Sequence, residues 1–427
     1  MAFFIEVIMA FTGATAGLAA GAQTNDTRMD VALETTYATP PTGNYQALRI
    51  TGESFSRAQT TARPEEINAL KEVSQSVVTQ VSASGTISGA LSSGTFDDLI
   101  AGVMGADWNS ITFTSSGSAS SSGTYIQWLA AKNVDGYEGY NFIVLPNLSQ
   151  LENLPFAGMV LINDPTNGIN NILANYRKFP SRTNGVYVES AALNSITKDV
   201  VATSGATAVF NGITNGNIDK TFTIRKKLLG NFLLYPGSLV TQVQFQLQQA
   251  QFGTVSVDVT SANETKSTTD IAAAVLPAPS GDVHNSVNNF LGATVFGNPP
   301  AGCLTQFTCT LARDGSGNDY GMGHDDACGV RTGQFTASGS LEFYFRTWDE
   351  YNACLAGTQG PIVVKTVDNN GNGYAFVFLN AALRNAKVNS SQTNQTVKAS
   401  FDIEANPVSG GGTFAIFRLS GVAPTGS

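Results

Sequence analysis

Histidine is nearly missing from this chain: His284 and His324 are the only two among 427 residues. Both sit in Asn/Gly-rich surroundings and read as solvated loop residues. No G-x-S-x-G nucleophile elbow exists for either to serve. Charge is scarce as well. Asp, Glu, Lys and Arg make up 13% of the residues, about half the usual soluble fraction, and Gly, Ser, Thr, Asn and Gln take their place. Neutral polar residues of this kind suit β-sheet surfaces that pack against copies of themselves. With 23 Lys and Arg against 32 Asp and Glu the net charge is −9, which argues against a large basic face able to neutralise phosphates. No apolar run is long enough to span a bilayer, so no membrane partner is expected. P-loop, H-E-x-x-H and G-x-G-x-x-G motifs are absent.

Cysteine is confined to the last third, as Cys303, Cys309, Cys328 and Cys354. Their spacings are not the close pairs a zinc site uses, and three disulfide connectivities stay open. Cys354 falls on an apolar helix stripe and reads as a buried thiol. At the N-terminus, MAFFIEVIMAFTGATAGLAAGAQ has small residues near Ala20 and Ala22. It lacks a basic n-region, and Glu6 interrupts its apolar run, so a tail is favoured over a secretory signal, with Met1 or Met9 as the start.

What the chain does have is one unit written twice. From Val81 to Gly105, Val81, Ala83, Gly85, Ile87, Gly89 and Leu91 alternate with Ser82, Ser84, Thr86 and Ser88, the period of a half-buried strand. Phe96, Leu99, Ile100, Val103 and Met104 then recur at helical spacing, with Thr95 placed as N-cap and Asp98 closing a capping box. Phe335 to Gly357 repeats the pattern: Gly339 stands 254 positions after Gly85, Thr347 takes the N-cap, and Trp348, Tyr351 and Leu355 repeat the stripe. Chance alternation would not also restore a Thr-aromatic-acid-acid helix start, so the sequence predicts a duplicated domain.

Further strands are expected at Ala47–Gln59, Trp108–Thr114, Thr221–Leu228, Leu239–Leu247 (alternating with Gln242, Gln244, Gln246 and Gln248), Gly253–Thr260, Ile362–Val367, Tyr374–Leu379 and Val397–Ala405. Asp368 to Gly373 reads as a hairpin turn. A helix is expected over Ile169–Tyr176, and Val283–Thr332 reads as loop-rich. Ser115–Gly123 is low-complexity, and the texture changes until Asn217. From Asp97 to Asp258 is 161 positions, but from Asp349 to Asp402 only 53; the difference, 108, approximates that odd segment. The expected organisation is therefore a tail at 1–24, a first domain in two parts at 25–123 and 218–263, an inserted domain at 124–217, a linker at 264–282 and a second domain at 283–427.

Candidate chemistry is thin. Asp314, Asn318 and Asp319, and likewise Asp368, Asn370 and Asn372, place oxygen ligands at calcium-loop spacing but lack the closing Glu; both are read as turns. His324, Asp325 and Asp326 with Cys328 are read as a polar loop. Arg225, Lys226 and Lys227 are read as an exposed strand end. Asp97-Asp98 and Asp349-Glu350 are placed by the helix macrodipole rather than by acid-base work. No catalytic, cofactor-binding or metal-binding residue is assigned, and no cofactor is expected.

Taken together, QTNDTRMDVALETTYATPP, ALRITGESFSRAQTTARPEEI, SGTISGALSSGTFDDLIAGVMGADW, SGSLEFYFRTWDEYNACLAG and GNGYAFVFLN resemble the major tail tube proteins of long-tailed, non-contractile bacteriophages. The segment from about Thr124 to Asn217 departs from that family. The resemblance implies a mainly β fold with short helices: two tandem β-sandwich or barrel domains, each flanked by a short α-helix, with the insertion in the first. It further implies a structural virion protein, not an enzyme, assembled in the bacterial host cytoplasm. Its sheets would join into rings stacked around the tape-measure protein and later around double-stranded DNA, with tail-tip and head-proximal terminator proteins at the ends. Two domains per chain suggest a trimer with pseudo-sixfold symmetry. The rival readings are a secreted adhesin or surface-layer module and a secreted polysaccharide-active enzyme.

Overall fold

The computed structural model describes residues 24–422 apart from 68, 70, 119–124, 131–140, 153, 155, 156, 180, 181, 190–195, 391, 392, 409 and 410, and also residue 424. Residues 1–23, which hold the start of the predicted tail, lie outside the described residues. The first repeat is built from β1 (Arg28–Leu33), β2 (Ser56–Ala62), β3 (Val77–Ala90) and α1 (Asp97–Met104). Next come β4 (Asn109–Thr114), β5 (Ala157–Asp164), β6 (Ile169–Phe179) and β7 (Thr207–Thr214), and then β8 (Phe222–Leu228), β9 (Asn231–Gln248) and β10 (Thr254–Ser261). The second repeat has β11 (Phe290–Val295), β12 (Leu304–Asp314), β13 (Gln334–Tyr344) and α2 (Asp349–Ala356), followed by β14 (Gln359–Val367), β15 (Gly373–Asn389), β16 (Lys398–Asn406) and β17 (Phe414–Leu419).

The two repeats pair their strands in the same antiparallel order. The first runs β1-β8-β9-β10-β3-β2; the second runs β11-β14-β15-β16-β13-β12. Registers agree residue for residue: Gly85 faces Val259 and Thr86 faces Asp258, while Gly339 faces Ile403 and Ser340 faces Asp402. The long strand β9 serves two sheets. Its first part pairs with β8 and its second with β10, and between them Gly237, at φ +63°, and a register shift bend the chain.

One apolar cluster runs through both repeats, from Met29, Val31, Leu99 and Val243 to Phe307, Phe343, Phe376 and Phe401. A second cluster joins Phe113, Trp128, Ile162, Tyr176 and Phe210 to Val363, Val377, Ala415 and Phe417. The segment between the halves folds back: Thr265–Ser267 pairs with β9 and Ala274–Leu276 with Asn44–Ala47.

Several expectations are corrected. Ile169–Tyr176 is not a helix but part of β6, paired with β5; a register shift between Ile169 and Ile172 breaks the two-residue period and imitates helical spacing. Ala47–Gln59 is not one strand, because the chain leaves β1, where Ala47 faces Asp30, for β3, where Gly52 faces Ser88. The stretch read as loop-rich contains β11 and the eleven-residue β12, where Thr305, Phe307, Cys309 and Leu311 alternate inward. Neither threonine caps its helix. Phe96 and Trp348 hold the N-cap positions without a side-chain bond; the Thr95 hydroxyl pairs with Ser92 at 2.7 Å and the Thr347 hydroxyl is buried without a partner. Cys309, not Cys354, is the buried thiol, and none of the four cysteines is disulfide-bonded.

Candidate functional site at the seam and edges of the sheet

The halves meet strand to strand. Gln242–Gln248 of β9 pairs antiparallel with Gln306–Ala312 of β12, so that a sheet of β2, β3, β10, β9, β12, β13, β16 and β15 crosses the chain without a break. One face is apolar: Ile87, Val257, Val243, Phe245, Phe307, Leu311, Leu341 and Ile403 are all buried. The opposite face is polar and laced by hydrogen bonds donated by neutral side chains. Thr86 Oγ1 donates to Asp258 at 2.6 Å, Gln242 to the other Asp258 oxygen at 3.3 Å and Gln244 to Thr310 at 3.3 Å; Thr308 and Ser340 share a bond of 2.7 Å. Asp258 and Asp402 occupy the same place in the two repeats, and Arg384 meets Glu404 at 3.0 Å. Pairs this exposed steady side-chain geometry more than they add stability.

Behind the seam lies a polar cluster that sequence spacing could not reveal. Asp97 accepts from Tyr374 Oη at 2.5 Å and pairs with Arg418 at 2.5 Å, and Trp108 Nε1 donates to its backbone carbonyl at 2.9 Å. The Arg418 guanidinium stacks 4.0 Å above the Trp108 ring. Burial raises the Asp97 carboxyl above its ordinary value, with Arg418 and Tyr374 pulling it back. Asp97 does sit in the first turn of α1, but it also ties that helix to β15 and β17, roles assigned by partners far along the chain.

His284 is fully buried rather than solvated. Its backbone bridges Leu91 and Gly253, and its Nδ1 lies 3.2 Å from the Thr366 hydroxyl. Burial lowers its pKa to about 4, against a smaller opposing pull from Asp368. The ring is therefore neutral near pH 7, and stability is complete above the unfolded value of about 6.5. As pH falls towards 4 the unfolded chain takes up a proton that the fold refuses, at a cost of roughly 3 kcal/mol. A His284→Asn variant should show a flatter decline of the urea midpoint between pH 6.5 and 4 than the parent; equal slopes would contradict this assignment.

Arg225 is not at an exposed strand end: it is buried, 2.7 Å from Asp30, beside Asp270, and over the rings of Tyr45 and Phe232. Lys226 pairs with Glu53 at 2.5 Å. Asp368 accepts the backbone N–H groups of Asn370 and Asn372, closing the β14–β15 turn. Asp319 pairs with Arg331, Asn318 donates to the Ser261 carbonyl, and His324 is exposed. Among the described residues no group of three His, Cys, Asp or Glu side chains could hold a metal ion, and no helix is long and apolar enough to cross a membrane.

Mainly β, with few short helices and a continuous polar sheet face, the chain falls in the class of β-rich proteins built on extended sheets. The family model of the phage tail tube protein matches residues 24–405. The chain belongs to the phage tail tube family and is a structural component of the virion. No curated protein matches it.

Proposed function

We propose that copies of this chain join through their sheets into rings, and that the rings stack into the tail tube, the conduit around the tape-measure protein and the path of double-stranded DNA into the host. The single observation that carries this reading is the β9–β12 seam, where one repeat already extends the sheet of the other without a break. An edge satisfied by another strand is no longer an aggregation hazard, and closing the ring removes edges altogether.

Three chains per ring, each supplying two repeats, give pseudo-sixfold symmetry. The polar face, with Thr86, Gln244, Asp258, Thr310, Ser340 and Asp402, then lines the lumen. The cations Arg384 and Lys398 on that face are paired with Glu404 and Glu342, and the neutral and acidic side chains around them let DNA slide, because no unpaired array of Lys and Arg holds its phosphates. The segment 124–217 is assigned to the exterior: its apolar cluster packs on β14, the first part of β15 and β17, whereas the polar face runs through the last part of β15. On this reading the chain has no catalytic role, is assembled in the host cytoplasm and meets tail-tip and terminator proteins only at the tube ends. Negative-stain microscopy of concentrated purified protein should show rings or tubes with a central channel. A protein that stays monomeric throughout would overturn the reading.

A further inference from the structure

The inner seam has a counterpart that is open at each end of the chain. β12 is the copy of β2, displaced by 254 positions, and β15 is the copy of β9: Gln244 opposes Ser256 as Lys387 opposes Ser400. In the seam Gln244 faces Thr310 and Gln246 faces Thr308. Carried over by the repeat, the equivalent pairs are Lys387 with Ser56 and Asn389 with Ser54. Among the described residues β2 pairs only with β3, all seven of its residues are exposed, and Arg384–Asn389 pairs only with β16.

The helices give a second, independent sign. α1 packs against both β9 and β12, Arg313 of β12 donates to its Val103 carbonyl at 2.7 Å, and Phe96 and Val103 are at most 1% exposed. Their copies on α2, Trp348 and Leu355, are 56% and 70% exposed. The helix face beside the inner seam is buried, and its copy beside the outer seam is bare.

We infer that a second copy of this chain fills both places: its Ser54–Ala58 edge adds to β15 at Arg384–Asn389 in the register of the inner seam, and it covers the Trp348–Leu355 face of α2. The inference rests on the ring reading and specifies its contact. Directly opposed antiparallel residues hold their Cβ atoms about 4.5–5.5 Å apart, close enough for a disulfide after small adjustment.

With Cys303 and Cys328 changed to Ser, the pair Ser56→Cys and Lys387→Cys should yield covalent oligomers on oxidation of assembled protein, seen on a non-reducing gel and requiring both substitutions. Gln244→Cys with Thr310→Cys, across the inner seam, should close within one chain and serves as the positive control. Ser56→Cys paired with Asn389→Cys is two residues out of register and should link far less. Rings by microscopy with no Ser56→Cys/Lys387→Cys product, or preferential linkage of the shifted pair, would overturn this contact and leave the ring reading standing. Monomers alone would remove both.

Discussion

Leu355→Glu is expected to abolish ring formation while leaving the monomer folded. The side chain is 70% exposed on α2, and substitutions at such surface positions change stability by about 0.5 kcal/mol or less. At the inner seam the corresponding position is Val103, which is wholly buried. Covering a glutamate at the outer seam forfeits the roughly 1.5–3 kcal/mol of a buried apolar side chain and adds the larger cost of an unpaired buried carboxylate. Each 1.4 kcal/mol is about a factor of ten in association, and a closed ring incurs the loss at every seam. Sedimentation velocity should therefore show monomer at concentrations where the parent forms rings, with an unchanged circular dichroism melt. Leu355→Met, which keeps the apolar volume, should assemble. Rings from Leu355→Glu at the parent's concentration would show that no neighbour covers α2.

Asp30→Ala should be the most destabilising polar substitution in the first repeat. Asp30 and Arg225 are both inaccessible to solvent; Arg225 reaches Asp30 at 2.7 and 3.1 Å, and Arg28 reaches it at 2.8 Å. Removing one partner of a buried pair costs about 3–5 kcal/mol, mainly because the remaining charge is stranded. Asp270 still touches Arg225 from a part-exposed position, which points to the lower end of that range. Against total stabilities of about 5–15 kcal/mol, a loss of that size should be plain in the urea midpoint. Asp30→Leu combined with Arg225→Met should recover most of it, since an apolar replacement strands nothing. If the double variant is as unstable as Asp30→Ala, packing of the guanidinium on Tyr45 and Phe232 outweighs the charge.

Alternation and repetition made the seam strands legible. Val81–Leu91, Val243–Leu247 and Phe335–Phe345 alternate cleanly because each has one face on the apolar cluster and one on the polar side; before Val243 a register shift breaks the expected period, so that Val240 rather than Thr241 joins the cluster. Gly85 and Gly339 announced the shared register. A Cβ on the first would collide with Phe55, and on the second with the Thr308 carbonyl. Where a bulge interrupts the period, as between Ile169 and Ile172, the same rule pointed to a helix. In β12 the inward side chains include Thr305 and Cys309, too weakly apolar to stand out. Burial of His284, Arg225 and Asp97 was invisible for another reason. Their partners lie 82, 195 and 277 positions away, and nothing local distinguishes them from loop or surface residues.

The β9–β12 seam also changes the thermodynamics of association. Because it closes while a single polypeptide folds, its members never meet as free bodies, and no translational or rotational freedom is surrendered for it. Only joints between separate molecules carry that loss, commonly several kcal/mol each. Tethering two repeats halves the number of independent particles that must be captured for a given circumference, so growth can begin at a lower concentration than unlinked repeats with identical contacts would require.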